Sequence, residues 1–213
     1  MLTARVIDAS DHPAVDELRI ASYRRATWFT LKDDDRIRCE RDAPRSRVTA
    51  VFDGEVPVAT VCQTLIFDAA EATEVLELDA DFSADDFPAL VVSRAATAER
   101  YAGMRLNHVL RWYTLHAATA AGIRSILAGQ ARGTPNLRVV AELGYRIVDA
   151  KASSMSQVRI NTGHVLSYLP ARDFAVALER LGKLLAGMLP QVLWRGPQLG
   201  FAEWLQPAAA QRA

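Results

Sequence analysis

Ser93 and Arg94 close an apolar run, Leu90-Val91-Val92, and a basic turn carrying Arg100, Gly103 and Arg105 follows them. A helical pattern begins directly after that turn. The first amides of a helix lack partners within it and the helix dipole is positive there, so such a turn receives an anion such as a phosphate. Arg100 and Arg105 add charge beside it, and Gly103 serves the turn itself. The planar guanidinium of Arg94 suits a carboxylate held by two parallel bonds. The stretch therefore has the residue types to hold a phosphorylated carrier at the turn and an acceptor carboxylate at Arg94.

Other chemistries fit the residues less well. No Gly-x-Ser-x-Gly elbow surrounds Ser93, which argues against a serine hydrolase. His108 and His116 are eight residues apart, whereas metal ligands on one helix are spaced i, i+4. His12 and His164 complete the histidines, and any of the four can supply a general base if the fold brings it to the cleft. Cys39 and Cys62 form no CxxC pair, so neither a zinc site nor a disulfide framework is expected. Cys62 lies in an apolar run and reads as a small buried hydrophobe.

These residues need a scaffold, and hydrophobic periodicity predicts one. Thr3–Asp8 reads as a strand. A helix follows from Asp11 or His12 with Pro13 in its first turn, and Val15, Leu18, Ile20 and Tyr23 recur along it. Lys32 to Arg47 is polar and reads as a short helix with loops. Arg47–Phe52 and Val56–Phe67 flank Asp53-Gly54, a hairpin turn. Ala89–Ala95 is continuous enough in apolar residues for a central strand covered on both faces. Leu106 to Ala120 makes an amphipathic helix ended by Gly122. Ser125–Ala128, Tyr145–Asp149 and Gln157–Leu169 read as strands, and Pro135–Leu143 and Phe174–Met188 as helices. Trp194, Phe201 and Trp204 mark an aromatic end. The predicted class is α/β (α+β), a mixed central sheet flanked by helices with a C-terminal helical extension. The expected division is residues 1–170 as the main domain and 171–213 as helix and aromatic extension.

The 213 residues are 50% hydrophobic and 23% charged, as expected of one globular domain with or without an appendage. Net charge is zero but unevenly spread. Asp68 to Asp86 holds eight acids and no base, whereas Arg94 to Arg146 holds eight arginines against Glu99 and Glu142, a local charge of +6. Such a field steers an anionic partner. A pI near 6.9 and the absence of lysine from the basic stretch argue against nucleic-acid binding. The first ten residues lack the apolar core of a signal peptide, and no run reaches the ~20 apolar residues of a membrane span. A cytoplasmic location is expected, since the cysteine usage suits a reducing compartment.

The order of elements, with Arg100-x-x-Gly103-x-Arg105 opening the central helix, resembles the GCN5-related N-acetyltransferase (GNAT) superfamily. A narrower resemblance is to acyl-homoserine lactone synthases and long-chain N-acyl amino acid synthases. Leu18-Arg19, Tyr23, Trp28-Phe29 and Asp33-Asp34-Asp35 follow the order of that branch, as do Ser93-Arg94 and Leu143-Gly144-Tyr145-Arg146. The similarity spans roughly Asp16 to Pro170. It implies an N-acyltransferase that moves an acyl group from a phosphopantetheine thioester, on coenzyme A or an acyl carrier protein, to a small-molecule amine. It implies cofactor contacts at Ala95, Thr97, Arg100, Gly103, Met104 and Arg105, and substrate contacts at Tyr23, Ser93 and Arg94. No metal is expected, and a homodimer is compatible with the aromatic end.

Three positions depart from the pattern. Arg105 stands where the family has Gly or Ala. Val91 replaces the glutamate thought to help deprotonate the amine, and Val140 occupies the usual place of a tyrosine general acid. No catalytic residue is assigned on this basis. The departures suit an alternative reading, a GNAT-fold binding or interaction module without acyl transfer.

Overall fold

In the computed structural model the chain is described at residues 1–31, 34–42, 45–153, 158–160, 162–196, 199 and 201. Asp33 and Trp204, singled out above, lie outside these residues. The strands are β1 (Leu2–Val6), β2 (Phe29–Leu31), β3 (Ser46–Asp53), β4 (Val56–Ile66), β5 (Leu78–Asp79), β6 (Ala89–Thr97), β7 (Ser125–Ala131), β8 (Arg146–Ala152), β9 (Val158–Ile160), β10 (His164–Pro170) and β11 (Val192–Trp194). The helices are α1 (His12–Arg25), α2 (Ala69–Leu76), α3 (Leu106–Ala120), α4 (Pro135–Glu142) and α5 (Phe174–Leu184).

Among the described residues the main sheet runs β11-β1-β3-β4-β6-β7-β10-β8-β5. Its pairings are antiparallel except β1 with β11 and β6 with β7. Side chains alternate across β6 and so feed two cores. Leu90 and Val92 join α3, α4 and α5 on one face. Ala89 and Val91 join Ala72 of α2 on the other, where α1 supplies Val15 to a further cluster with Cys39 and Cys62. The Asp53-Gly54 hairpin forms as expected, and the acidic segment folds in part as α2, capped by the Asp68 carboxylate accepting from the Glu71 amide at 2.9 Å.

Four expectations change. The stretch after Lys32 forms two short 3-10 turns, Asp34–Ile37 and Cys39–Arg41, rather than one helix. The strand expected from Gln157 to Leu169 is divided: β9 pairs with β2 in a separate two-stranded sheet, and β10 begins after Gly163. The last helix stops at Leu184, before Met188. Residues 192–194, unassigned from sequence, form β11 alongside β1, and the Arg195 amide donates to the Ala4 carbonyl at 2.8 Å. A three-residue strand has too few positions for alternation to register, which is why its pattern was silent.

An opening lies between β6 and β7. Their parallel pairing covers only Ala89↔Ser125, Leu90↔Ile126 and Val91↔Leu127. Beyond Val91, β6 remains paired with β4 alone. The β4–β6 register shifts between Thr60↔Ala96 and Cys62↔Ser93, so Arg94 and Ala95 oppose the single residue Val61, a bulge. Arg94 takes a left-handed backbone there, with φ of 50°. The Asn107 amide braces the far side of the bulge: its NH2 donates to the Ala96 and Thr60 carbonyls, 3.2 Å each, and its oxygen accepts from the Thr97 hydroxyl at 2.9 Å.

Phe201 is 1% exposed and belongs to the core beneath α3. Phe201→Ala is expected to cost about 3–5 kcal/mol in urea unfolding. A loss below about 1 kcal/mol, the range of surface substitutions, would show that this side chain does not complete the core.

Candidate functional site

Two groups of residues meet on β6, one on each side of its bulge. The first is a buried ion cluster. Asp16, Arg19 and Tyr23 recur at three- and four-residue spacing, which puts them along one face of α1. The Arg19 side chain is fully buried and donates from Nη1 to the Ile37 carbonyl at 2.9 Å. The same nitrogen lies 3.3 Å from the Asp42 carboxylate, and Arg94 reaches the other oxygen of Asp42 at 3.2 Å. One carboxylate therefore serves two guanidinia from α1 and β6. Asp16 accepts from the Cys39 amide at 2.8 Å and lies 3.7 Å from Arg38, which fixes the turn that carries Asp42.

Tyr23 and Ser93 border this cluster. Burial pushes the Tyr23 phenol up, and the Arg19 and Arg94 charges partly offset that. Ser93 Oγ is buried and has no hydrogen-bond partner among the described residues. It sits opposite Cys62, whose thiol is pushed up by burial and then by Asp42. The Cys39 thiol is pushed up to about 12, chiefly by burial. Both cysteines are thus thiols at neutral pH, poor nucleophiles.

The second group is the turn from Ala98 to Arg105. Residues Glu99–Tyr101 form one 3-10 turn, and the Met104 amide closes onto the Tyr101 carbonyl at 3.1 Å. Gly103 then takes φ of 83°, with nothing within 4 Å of where a Cβ would stand. Arg105 caps α3 in a left-handed conformation without a side-chain cap. Among the described residues the amides of Gly103, Arg105, Leu106 and Asn107 have no partner in the chain. Four free amides at the positive end of a 15-residue helix make an anion cradle.

The side chains of the turn are partly engaged. Arg100 lies over the Tyr101 ring at 4.8 Å and 3.8 Å from Asp53, and the Tyr101 hydroxyl donates to the same carboxylate. Arg105 Nη1 donates to the Leu184 carbonyl at 2.9 Å and so caps the end of α5. Met104 lines a cavity of about 380 Å³ with Met1, Leu2, Tyr101 and Gln191. Ala95 is exposed at the bulge. The Thr97 carbonyl accepts from Arg25 at 3.0 Å and its amide donates to Ser22 at 3.4 Å, so α1 reaches the mouth of the turn.

On the opposite wall, Asn136 donates to Gln130 and Gln130 to Ser167, 2.7 Å each, which ties the first turn of α4 to β7 where β6 has left it. Val91 and Val140 are fully buried in apolar clusters. His12 starts α1, His116 meets Trp112 edge-to-face with ring centroids 4.1 Å apart, His108 is buried on α3 and His164 starts β10. Among the described residues no group of three or more His, Cys, Asp or Glu could hold a metal ion, and no helix is long and apolar enough to cross a membrane.

Sequence reasoning singled out Tyr23, Ser93 and Arg94, which lie near one another around β6, and the consecutive turn from Ala95 to Arg105. It missed Asp42, which joins them. A lone acid in a loop, separated by 23 residues from Arg19 and by 52 from Arg94, leaves no periodic signal.

No protein-family model matches the sequence, and a search of curated proteins finds no relative. Solved structures do match. A CoA-dependent acyl-homoserine lactone synthase, BjaI, superposes with a TM-score of 0.63 at 16% identity, over 95% of this chain and 98% of that one. FeeM, an N-acyl amino acid synthase from uncultured soil microbes, gives 0.59 at 14% identity, over 88% and 99%. The ribosomal-protein-S18-alanine N-acetyltransferase from Escherichia coli gives 0.55 at 12% identity, over 80% and 94%. The chain has the GNAT fold.

Removing one member of a buried ion cluster strands the others. Asp42→Ala is expected to destabilise the protein by roughly 3–5 kcal/mol. Adding Arg19→Met should recover part of that loss, with a coupling of about 1 kcal/mol or more in a double-mutant cycle. Strict additivity would show that Asp42 and Arg19 do not stabilise one another.

Proposed function

We propose that this protein is an N-acyltransferase. It takes an acyl group from a phosphopantetheine thioester, carried by coenzyme A or an acyl carrier protein, and passes it to the amine of a small carboxylate-bearing molecule such as an amino acid. The observation that carries the reading is the pairing of four free amides on the turn after β6 with Arg94 on the bulge of its opened stretch.

On this reading the carrier's phosphate rests on the amides of Gly103 and Arg105–Asn107, with Arg100 and Arg105 supplying positive charge and Ala95, Thr97 and Met104 contacting the pantetheine. The pantetheine arm lies along β6 where β7 has left it. Backbone N–H groups of that edge polarise the thioester carbonyl as negative charge develops on its oxygen. Arg94 holds the acceptor carboxylate beside Tyr23 and Ser93, which orients the amine towards the thioester. The amine nitrogen forms a bond to the carbonyl carbon, the C–S bond breaks, and sulfur leaves as a thiolate. The amine gives up one proton and the thiolate takes one, so the exchange balances without a further reactant. Val91 and Val140 cannot carry that proton, so the amine reacts as the free base delivered from water. A soluble cytoplasmic setting, where both carriers occur, fits the reading.

A second reading is favoured by the same two valines: the fold retains a carrier or a partner without transferring an acyl group.

Incubating the purified protein with acyl-coenzyme A species from acetyl to palmitoyl and a pool of amino acids, with mass spectrometry of the products, separates the two. Amine-dependent release of free thiol is expected. Arg94→Ala should raise the acceptor KM about tenfold or more, and kcat/KM should climb with pH until the acceptor amine itself is deprotonated. Donor binding without thiol release would favour the second reading. Neither binding nor release, with acyl carrier protein tested as well, would sink both.

A further inference from the structure

Arg111 and His108, on α3, are buried, at 6% and 9% exposure. Arg111 Nη1 donates to the Tyr145 hydroxyl at 3.1 Å, and its guanidinium carbon lies 5.2 Å from that ring. Its Nε is enclosed and has no hydrogen-bond partner among the described residues, and the same holds for His108 Nδ1. No ion pair is formed by Arg111, Arg105 or Arg180 among the described residues. Arg105 and Arg180 are satisfied by carbonyls, those of Leu184 and Glu142. Glu142 itself pairs with Arg138. Arg180 Nη1 comes within 3.3 Å of where a Cβ of Gly144 would stand, one residue before Tyr145. Arg111 and His108 thus lie buried near the junction of α3, α5 and the start of β8, with the exposed Arg105 and Arg180 at its rim, and no carboxylate among the described residues pairs with Arg111. A desolvated guanidinium is ordinarily paired. A cation kept buried without a counter-charge, beside a second unanswered polar atom, is the arrangement expected of a site that an anion completes.

We propose that Arg111 and His108 bind a small oxyanion, a carboxylate or a phosphate monoester, at the junction of α3, α5 and the start of β8. Arg111 supplies Nε and Nη2, a parallel pair of donors suited to two oxygens. His108 supplies an N–H from Nδ1. Its ring is neutral at pH 7, its pKa being lowered to about 4 by burial first and then by the Arg111 and Arg105 charges. A neutral ring carries one N–H, and the anion selects the tautomer that places it on Nδ1. The inference does not rest on acyl transfer.

The test is thermal unfolding of the full chain in Tris chloride with added sodium phosphate or sodium succinate, each against sodium chloride at equal ionic strength. One of the two anions should raise the melting temperature saturably; phosphate alone identifies a phosphate ligand and succinate alone a carboxylate. Arg111→Met should abolish that rise while raising the melting temperature of the anion-free protein, since it removes an uncompensated buried charge. His108→Gln should shift the midpoint of the response at least fivefold. Arg100→Ala should leave the response in place, which separates this site from the turn before α3. No response to either anion would overturn the proposal, and so would a response surviving in Arg111→Met. If Arg111→Met does not fold, an unaltered midpoint in both Arg111→Lys and His108→Gln would overturn it.

Discussion

One carboxylate, Asp42, holds the fully buried Arg19 and the half-buried Arg94, and the geometry of the β6 bulge depends on it. Arg19 comes from α1 and Arg94 from β6, so the shared ion cluster joins helix, loop and strand at one point. Arg19, with no exposure, is not tolerable at that depth alone. Asp42 can reach both because Asp16 secures the Cys39 amide and two short 3-10 turns bring the loop down onto α1. The left-handed backbone of Arg94 costs of order 1–3 kcal/mol, and its ion pair with Asp42 is positioned to offset that. What results is a strand whose bulge presents a charged side chain beside an exposed Ala95.

The turn before α3 has a different physical basis. Around the turn before α3 the free groups are backbone amides, and they are free because the 3-10 turn, Gly103 and Arg105 in sequence leave the first helical amides without carbonyls to meet. Arg105, the residue that departs from the Gly or Ala of the family pattern, has a structural use in capping α5. Its size is accommodated because its side chain runs to Leu184. The two differ in kind: the bulge is fixed by an ion cluster, and the turn before α3 by backbone geometry and helix dipole.

Much of this was legible in the residues. The central strand, the Asp53-Gly54 hairpin and the long helix after the basic turn were marked by apolar runs, turn residues and 3.6-residue periodicity, which are local signals. The GNAT arrangement followed from their order. β11 and the division of β9 from β10 were not legible, because three-residue strands are set by the neighbours they pair with. Arg94 and Ser93 were visible as a pair, whereas Asp42 was not, since loop acids carry no pattern and their partners are distant in sequence. His108 looked like a histidine on an amphipathic helix. That it and Arg111 lie unanswered beneath α5 depends on where a helix some 70 residues later packs.

The most direct test of the account is a crystal structure of the protein with a non-hydrolysable acyl-coenzyme A thioether and an amino acid. The pyrophosphate is expected on the amides of Gly103 and Arg105–Asn107, the pantetheine arm along β6 beyond Val91, and the amino acid carboxylate on Arg94. A thioether bound elsewhere, with the β6–β7 opening filled by the protein's own side chains, would contradict it.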